Sequence, residues 1–531
     1  MKKILITLLF LALPMSSGLA ADLPDEQMNI IENVWDNLRT QAELFDDLDP
    51  WSASPSQIQI LAEDPAAAFP RKSVLCSSTK DPNCRAATEL GVRAYLPTCI
   101  KSEDLYCVEE FFAVKDGVRI NGTFKQQYPI ERVKGYFEAE PKYELPAGGS
   151  ANLWELPGII HAGGTNQFLV NAQLFGGLRR SNVQSKYGNM EIYQVWSSIS
   201  AVQEISYPGA RAMNASDLGG GDGRNGVDRY SKSAKCIATS FDHCLIAWPL
   251  DESISLGITL RTPHTFSGWL HGRLNHPDIK TSRTSDGFFH ITFAGSPTKV
   301  PTVFASIPWS DVSAAMKKRF GSSPSGSYHD GDKGSAMVTA GRYQSSEQMV
   351  EDLNLWLPVI KDKATATPTY WIVRTIAGGD GKGCFKDGRV NGIVTTNATA
   401  YISGAPFFNE KYQSLDYKVA SPHYDANGRV NVGNYNLQIN SDVARCLYGF
   451  TSAPIGATVS VISSNGENQV ATTTLKEKDG WIYLTAAGFT YSSPTVRVKL
   501  SQKSTTACTR GASAKKTSAT SAKCSATPKK K

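Results

Sequence analysis

Cys99-Ile-Lys-Ser-Glu-Asp-Leu-Tyr-Cys107 places two cysteines seven residues apart, directly before the apolar segment 108–114. The same spacing recurs at 76–84 and at 236–244. A disulfide holds its two α-carbons roughly 4.4–6.8 Å apart, so each of these segments, if bridged, must fold back on itself as a hairpin or compact loop. The spacing therefore predicts covalent clips on a protein that is rich in β-structure.

The chain contains ten cysteines, an even number that favours disulfides in an oxidising compartment. Three local clips leave four cysteines, and their most economical pairing is 384 with 446 and 508 with 524. The sequence does not fix this connectivity, because the four cysteines between 76 and 107 could equally cross-pair. No CxxC motif indicates a zinc or redox role. The predicted disulfide residues are Cys76, Cys84, Cys99, Cys107, Cys236, Cys244, Cys384, Cys446, Cys508 and Cys524.

The N-terminus has the pattern of a secretory signal peptide. Met-Lys-Lys is followed by an apolar run at 4–13 and by small residues at 18–21. We expect cleavage after Ala20, and the alternative is a short membrane anchor. The apolar run is shorter than the roughly 20 residues that a transmembrane helix needs, and no other run approaches that length. We therefore expect a protein without a transmembrane segment that is secreted, extracellular or associated with the cell envelope.

The net charge of +6 is unevenly distributed along the chain. Segment 501–531 contains eight basic residues and no acidic residue, whereas segment 21–500 has more acidic than basic residues. A folded nucleic-acid-binding protein would concentrate its basic residues on one face, so we expect no nucleic-acid partner. The tail, rich in Ser, Thr, Ala and Lys, is predicted to be disordered. It would attract anionic cell-wall or surface polymers weakly; the alternative is a tail that only aids solubility.

Short apolar or alternating segments bounded by Gly, Pro, Asn or Ser recur from residue 73 to residue 500. Asp116-Gly117 separates two of them and predicts a hairpin turn. Near the end, Val496, Val498 and Leu500 alternate with polar residues, which predicts a strand with one buried face. We predict a mainly β fold of two or three antiparallel β-sandwich or meander domains with a few helices, clipped by disulfides.

The expected helices lie at 25–48, where apolar residues recur at spacings of three and four, at 309–320, and at 345–357. With the strand pattern, they divide the chain into six predicted parts. These are a signal peptide at 1–20, an N-terminal amphipathic helix and linker at 21–62, a β-rich region with the C-x7-C clips at 63–308, a helical and loop insertion at 309–368, an immunoglobulin-like C-terminal β domain at 369–500, and a basic disordered tail at 501–531.

Three stretches near the C-terminus carry a resemblance. The run Val-Ala-Arg-Cys-Leu-Tyr-Gly-Phe at 443–450, Gly-Trp at 480–481 and the stretch at 488–500 together resemble the end of uncharacterised secreted proteins of actinobacteria. The tail, with two cysteines and terminal Pro-Lys-Lys-Lys, is similar to a short basic terminus of such exported proteins. It departs from that pattern where Ala and Ser replace more apolar residues and a Gly-Tyr before the lysines. The resemblance implies an extracellular or envelope setting and brings no known activity.

One glycine-rich loop offers oxygen ligands. A GxGxxG pattern at 221–226 has neither a strand before it nor a helix after it, so it does not indicate a dinucleotide site. Calcium takes six to eight oxygens, but this loop matches neither an EF-hand nor a calcium-binding nonapeptide, and a solvated turn is the alternative. The candidate calcium ligands are Asp217, Asp222, Asn225 and Asp228; no other cofactor is expected.

Common catalytic motifs are missing from the sequence. His271 and His276 are five residues apart and miss the spacing of a helical zinc pair, and no HExxH, GxSxG elbow or phosphate loop occurs. Glycosidases need two carboxylates about 5–9.5 Å apart, which a sequence does not reveal. We therefore predict a non-catalytic secreted or envelope-associated surface or binding protein and no catalytic residue. The alternative is a secreted hydrolase that acts on polysaccharide or peptide.

Overall fold

A computed structural model shows a mainly β protein, which confirms the predicted fold class. Within the described part of the chain there are 31 strands, three α-helices and a single 3-10 turn at Pro141–Tyr143. The structure describes residues 39–46, 57–60, 75–82, 84–130, 136–206, 236–308, 312–320, 327–329, 336–340, 346–376, 383–386, 388–402, 404–462, 466, 468–469, 471–491 and 495–502.

The strands that precede the first helix include the two longest of the described chain. They are β1 (Arg39–Asp46), β2 (Gln57–Ile60), β3 (Leu75–Cys76), β4 (Glu89–Tyr95), β5 (Cys107–Lys115), β6 (Val118–Asn121), β7 (Thr123–Tyr128), β8 (Ala151–Glu155), β9 (Gln167–Arg179), β10 (Glu191–Ser206), β11 (Cys236–Ser240), β12 (His243–Trp248), β13 (Ser255–Thr262), β14 (Gly268–Arg273), β15 (Asn275–Arg283), β16 (Phe289–Ser296), β17 (Thr298–Lys299) and β18 (Val303–Pro308).

The remaining elements include the three α-helices of the described chain. They are α1 (Ala314–Phe320), β19 (Ser327–His329), β20 (Ala336–Ala340), α2 (Ser346–Trp356), β21 (Thr369–Ile376), β22 (Val390–Thr396), β23 (Ala400–Tyr401), β24 (Phe407–Asn409), β25 (Ser414–Ala420), β26 (Val432–Asn440), α3 (Ser441–Tyr448), β27 (Ile455–Ile462), β28 (Asn468–Gln469), β29 (Thr472–Lys478), β30 (Trp481–Thr490) and β31 (Thr495–Gln502).

One large sheet forms the centre of the described fold. Its main path runs β29-β30-β26-β22-β14-β21-β10-β9-β4-β2-β3, and β7, β8, β11, β12 and β17 pair beside this path. The pairs are antiparallel except that β14 and β22 run parallel. Three smaller sheets accompany it: β15-β16-β13-β5-β6, β23-β25-β31-β27-β28 with β24 beside β25, and β18-β1-β20-β19.

The five-stranded sheet packs on one face of the large sheet. The Phe111 ring of β5 lies 6.2 Å from Trp154 of β8 and 5.6 Å from Phe168 of β9, centroid to centroid. Ile258 and Phe293, from the next two strands of the five-stranded sheet, are buried in the same core. Because alternate side chains of a strand point to opposite faces, these two sheets form a β-sandwich.

The six-stranded sheet covers the other face of the large sheet. Tyr417 of β25 and Tyr435 of β26 are buried with ring centroids 5.7 Å apart. Along β14, Trp269 lies in this second core while its neighbour Leu270 lies in the first. The two cores are therefore built on opposite faces of shared strands.

Local sequence signals explain the tight turns and the disulfides. Asp116 and Gly117 have φ values of 52° and 77°, the left-handed pair that a two-residue hairpin needs, and Lys115 pairs with Val118 as predicted. Asp479 and Gly480 repeat this conformation between β29 and β30. Three predicted disulfides are confirmed, with α-carbon separations of 5.8, 5.0 and 5.6 Å: Cys76–Cys84, Cys99–Cys107 and Cys384–Cys446.

The helix predicted at 25–48 is wrong over its last part. Residues 39–46 form β1, which pairs with β18 antiparallel and with β20 parallel, whereas residues 25–38 lie outside the described chain. Two partner strands satisfy the backbone groups that a helix would satisfy internally, and Ala42 and Leu44 occupy alternate positions that suit a strand. The other two predicted helices are confirmed as α1 and α2, with Leu353 and Trp356 of α2 fully buried.

The predicted domain boundaries stay predictions. Strand β21, which begins at the predicted boundary at 369, pairs with β10 and β14 in the middle of the large sheet. None of the described helices is long and apolar enough to cross a bilayer.

Candidate binding groove

A groove of about 410 Å³ lies where the five-stranded sheet ends above the large sheet. Its lining comes from β15, the edge strand of the five-stranded sheet, and from β26, β30 and β29, which extend beyond that edge. The groove therefore lies between the edge of the five-stranded sheet and the strands of the large sheet that this sheet does not cover. We call it the β15–β29 groove.

Gln438 of β26 attaches β15 to the large sheet. Its side-chain oxygen accepts from the Ile279 N–H at 3.0 Å, and its side-chain nitrogen donates to the Ile279 carbonyl at 3.2 Å. Gln438 is fully buried, so its amide replaces a neighbouring strand on the open edge of β15. This pair of hydrogen bonds fixes one side of the groove.

The floor of the groove belongs to a ladder of polar side chains on one face of the large sheet, of which Thr474, Thr485 and Asn436 line the groove. Thr474, Thr485, Asn436 and Thr395 stand opposite one another on four successive strands. The Thr485 hydroxyl donates to the Asn436 side-chain oxygen at 2.9 Å, and the Asn436 amide donates to the Thr395 hydroxyl at 3.0 Å. Cross-strand pairs of this kind hold polar groups in fixed positions.

Tyr483 places a half-buried ring beside this floor. Its hydroxyl accepts from the Gln438 amide at 3.4 Å. Burial raises the pKa of Tyr483 to about 12, with the nearby carboxylates of Asp278 and Asp479 adding to the effect. The phenol therefore keeps its proton at neutral pH and can both donate and accept hydrogen bonds.

The charged side chains of the groove are mixed in sign. Lys280 pairs with Asp278 at 2.6 Å, and Lys478 lies 3.4 Å from Asp479. Lys476 is exposed and makes no ion pair with any residue that the structure describes. The groove thus offers two carboxylates held by lysines and one further ammonium group.

Three glutamate carboxylates outside the groove have structural partners. Glu109 pairs with Arg261 at 2.6 Å and Glu110 with Arg119 at 2.9 Å. The Glu140 carboxylate accepts from both the backbone N–H and the hydroxyl of one threonine at 2.8 and 2.7 Å.

The two histidines considered for zinc lie in different environments. His271 is buried in the second core, where its ring stacks on Tyr401 with a centroid distance of 3.7 Å. Burial, with Arg273 and Arg374 nearby, lowers the pKa of His271 well below its ordinary value. His276 is exposed at the groove, so the structure does not bring the two rings into one site.

The remaining predicted site residues are only partly covered by the described chain. Asp217, Asp222, Asn225 and Asp228 lie outside it, so the calcium site stays a prediction. Cys244 is disulfide-bonded, but the side chain of Cys236, together with Cys508 and Cys524, lies outside the described part. Cys99, Cys107 and Glu109 bring potential ligand atoms within 4.8 Å, yet both sulfurs are already bonded in a disulfide and are poor metal ligands.

One polar residue of the groove, His276, was considered from the sequence, and only as a zinc ligand. The approach of β15 depends on Gln438, whose bonding partner is 159 residues away. The alternation in β29 and β30 marks which side chains share a face, and it was the one available signal.

Comparisons with known proteins add no family to this geometry: no protein-family model and no curated protein matches the chain.

Proposed function

We propose that this chain is a non-catalytic surface-binding protein, secreted or envelope-associated, which holds a stretch of polysaccharide in the β15–β29 groove. The observation that carries this proposal is the half-buried Tyr483 ring, set beside a polar floor and near Asp278 and Asp479. Sugars present apolar C–H faces and many hydroxyls, so an aromatic ring with fixed donors and acceptors suits them.

Other features support the setting. Disulfides persist in oxidising compartments, and the three confirmed pairs agree with the predicted signal peptide. The basic tail would add weak electrostatic retention on anionic surface polymers. We include an immunoglobulin-like relationship for 369–500 in this proposal, supported by the two sheets that pack around the second core.

The test is a binding measurement with Tyr483→Ala. Full-length protein is titrated with soluble polysaccharides by calorimetry, beside the matched control Tyr193→Ala, an exposed tyrosine of β10. Stacking of a sugar on the ring contributes about 0.5–1.5 kcal/mol, so Tyr483→Ala should reduce the affinity by up to about tenfold. Tyr193→Ala should leave the affinity unchanged. Equal affinities of Tyr483→Ala and wild type, with both folded, would contradict the groove as the binding site.

A secreted hydrolase is the second candidate. Asp278 and Asp479 both lie close enough to the Tyr483 hydroxyl to affect its pKa, which places two carboxylates in one groove. Each, however, has a lysine partner and partial or full exposure, unlike a desolvated general acid. The test is to measure the release of reducing ends from a polysaccharide. Release by the wild type that is abolished in Asp278→Asn or Asp479→Asn would favour the hydrolase.

A further inference from the structure

We infer that the β15–β29 groove selects acidic polysaccharides of the uronate type, and that Lys476 contacts the acidic group of the sugar. This inference rests on the proposed function and goes further by naming the ligand class and the residue that reads it.

The position of Lys476 comes from strand register. Lys476 of β29 stands directly opposite Tyr483 of β30, which in turn stands opposite Gln438 of β26. Directly opposed residues have Cβ atoms about 4.5–5.5 Å apart, so the ammonium stem rises beside the aromatic ring. A sugar stacked on Tyr483 would therefore lie within reach of Lys476.

The neighbouring charges separate the roles of the three lysines. Lys280 and Lys478 each hold an aspartate of the groove, at 2.6 and 3.4 Å. The two carboxylates keep lone pairs that accept hydroxyl hydrogens, because a carboxylate offers about four acceptor positions. Lys476 is the groove's remaining cation among the described residues, and it is exposed to an incoming anion. A uronic acid carries hydroxyls that can donate to Asp278 and Asp479. It also carries one carboxylate that can pair with Lys476.

The basic tail would attract the same ligands without a groove, so charge alone does not test the inference. Eight tail cations contribute equally to wild type and to any single-lysine variant. Lys499→Gln is the matched control, because Lys499 is an exposed strand residue on β31 of the six-stranded sheet and the change removes the same charge. The difference between Lys476→Gln and Lys499→Gln isolates the groove.

The experiment uses full-length protein and two probes, an oligogalacturonate and the same oligomer fully methyl-esterified. Titrations are run at about 0.1 M and about 1 M NaCl, between which the Debye length falls from about 10 Å to about 3 Å. Wild type should bind the acid form more tightly, and Lys476→Gln should lower that affinity about three- to fivefold, as expected for an exposed ion pair. The ester should bind wild type and Lys476→Gln equally, and high salt should reduce the difference for the acid.

The failures are distinguishable. Equal losses for Lys476→Gln and Lys499→Gln, or equal affinities of wild type for acid and ester, would overturn the inference. If the inference fails in this way but Tyr483→Ala still weakens binding of both oligomers, the proposed function remains intact. Absence of binding to both oligomers would count against the inference and the polysaccharide function together.

Discussion

His271 shows how a residue on a central strand can make stability depend on pH. It is fully buried in the second core, stacked on Tyr401 and close to Arg273 and Arg374. Arg374 also donates to the Tyr401 hydroxyl, so the ring lies beside an organised cationic cluster. Protonation of His271 would add a third positive charge there, and the folded state therefore keeps it neutral.

This neutrality predicts acid sensitivity near pH 6. An unfolded histidine titrates at about 6.5, whereas the folded pKa of His271 is well below its ordinary value, so the unfolded state binds the proton first as pH falls. The contribution of neutral His271 to the free energy of unfolding is therefore fully present above pH ~6.5. Below that pH the free energy of unfolding decreases by up to about 1.4 kcal/mol per pH unit. Denaturant unfolding between pH ~7.5 and ~5 measures the slope, which His271→Phe should flatten because phenylalanine stacks without titrating.

His276→Gln is the control for this experiment, since His276 is exposed at the groove and should leave the slope unchanged. A slope that persists in His271→Phe would assign the acid sensitivity to other groups. His161, whose pKa burial also lowers, is the next residue to replace.

Residues of this kind were beyond prediction because their partners are remote in the chain. The pattern around His271 shows a histidine in an apolar stretch, but Tyr401 and Arg374 reach it only through the pairing of β14 with β21 and the packing of the six-stranded sheet. The cysteines at 99 and 107 were predictable for the opposite reason. Their spacing within one short segment favoured a local bond, and the structure then excluded the cross-pairing that the sequence had left open.

At the scale of single elements, β15 depends on a side chain for its lateral contact with the large sheet. Gln438 bonds both the N–H and the carbonyl of Ile279, so these two backbone groups are satisfied at an otherwise open edge. An edge strand with unpaired backbone groups is prone to pairing with other chains. Gln438 therefore both attaches and protects β15.

Replacement of Gln438 by leucine tests this role. The change keeps an apolar stem of similar size but removes both bonds to Ile279, and an unsatisfied buried backbone group costs about 1–3 kcal/mol. We expect a loss of that size in the free energy of unfolding, together with faster hydrogen exchange at the Ile279 amide. Gln194→Leu, on an exposed position of β10, should change stability by less than about 0.5 kcal/mol. Unchanged exchange at Ile279 would exclude the side-chain bridge.

Elements with local signals were predictable, and elements with remote partners were not. The turn at Asp116-Gly117 was predicted because these residues tolerate positive φ, and Asp479-Gly480 has the same residue types and the same conformation. Strand β1 was missed because residues 39–46 also fit a helical spacing, and its partners β18 and β20 lie more than 250 residues away. The long strands β9 and β10 pair with each other along most of their length.

At the scale of the whole molecule, two cores are built on one sheet. Adjacent residues of β14, Trp269 and Leu270, are buried in different cores. The hydrogen-bonded path from β10 through β21, β14 and β22 to β26 crosses from one sandwich to the other without a break. Breaking either core would therefore expose strands that the other core needs.

This arrangement predicts that both cores unfold in one main calorimetric transition. Phe111→Ala removes a ring from the first core and should cost about 3–5 kcal/mol; Leu415→Ala, in the second core, should cost about 2–5 kcal/mol. Each variant should move the whole transition to a lower temperature, because the shared strands couple the two cores. Scanning calorimetry would contradict this coupling if Leu415→Ala split the trace into two peaks, one of them at the wild-type temperature. Lys499→Gln replaces an exposed residue outside both cores and is the control. It should not change the midpoint temperature of the transition.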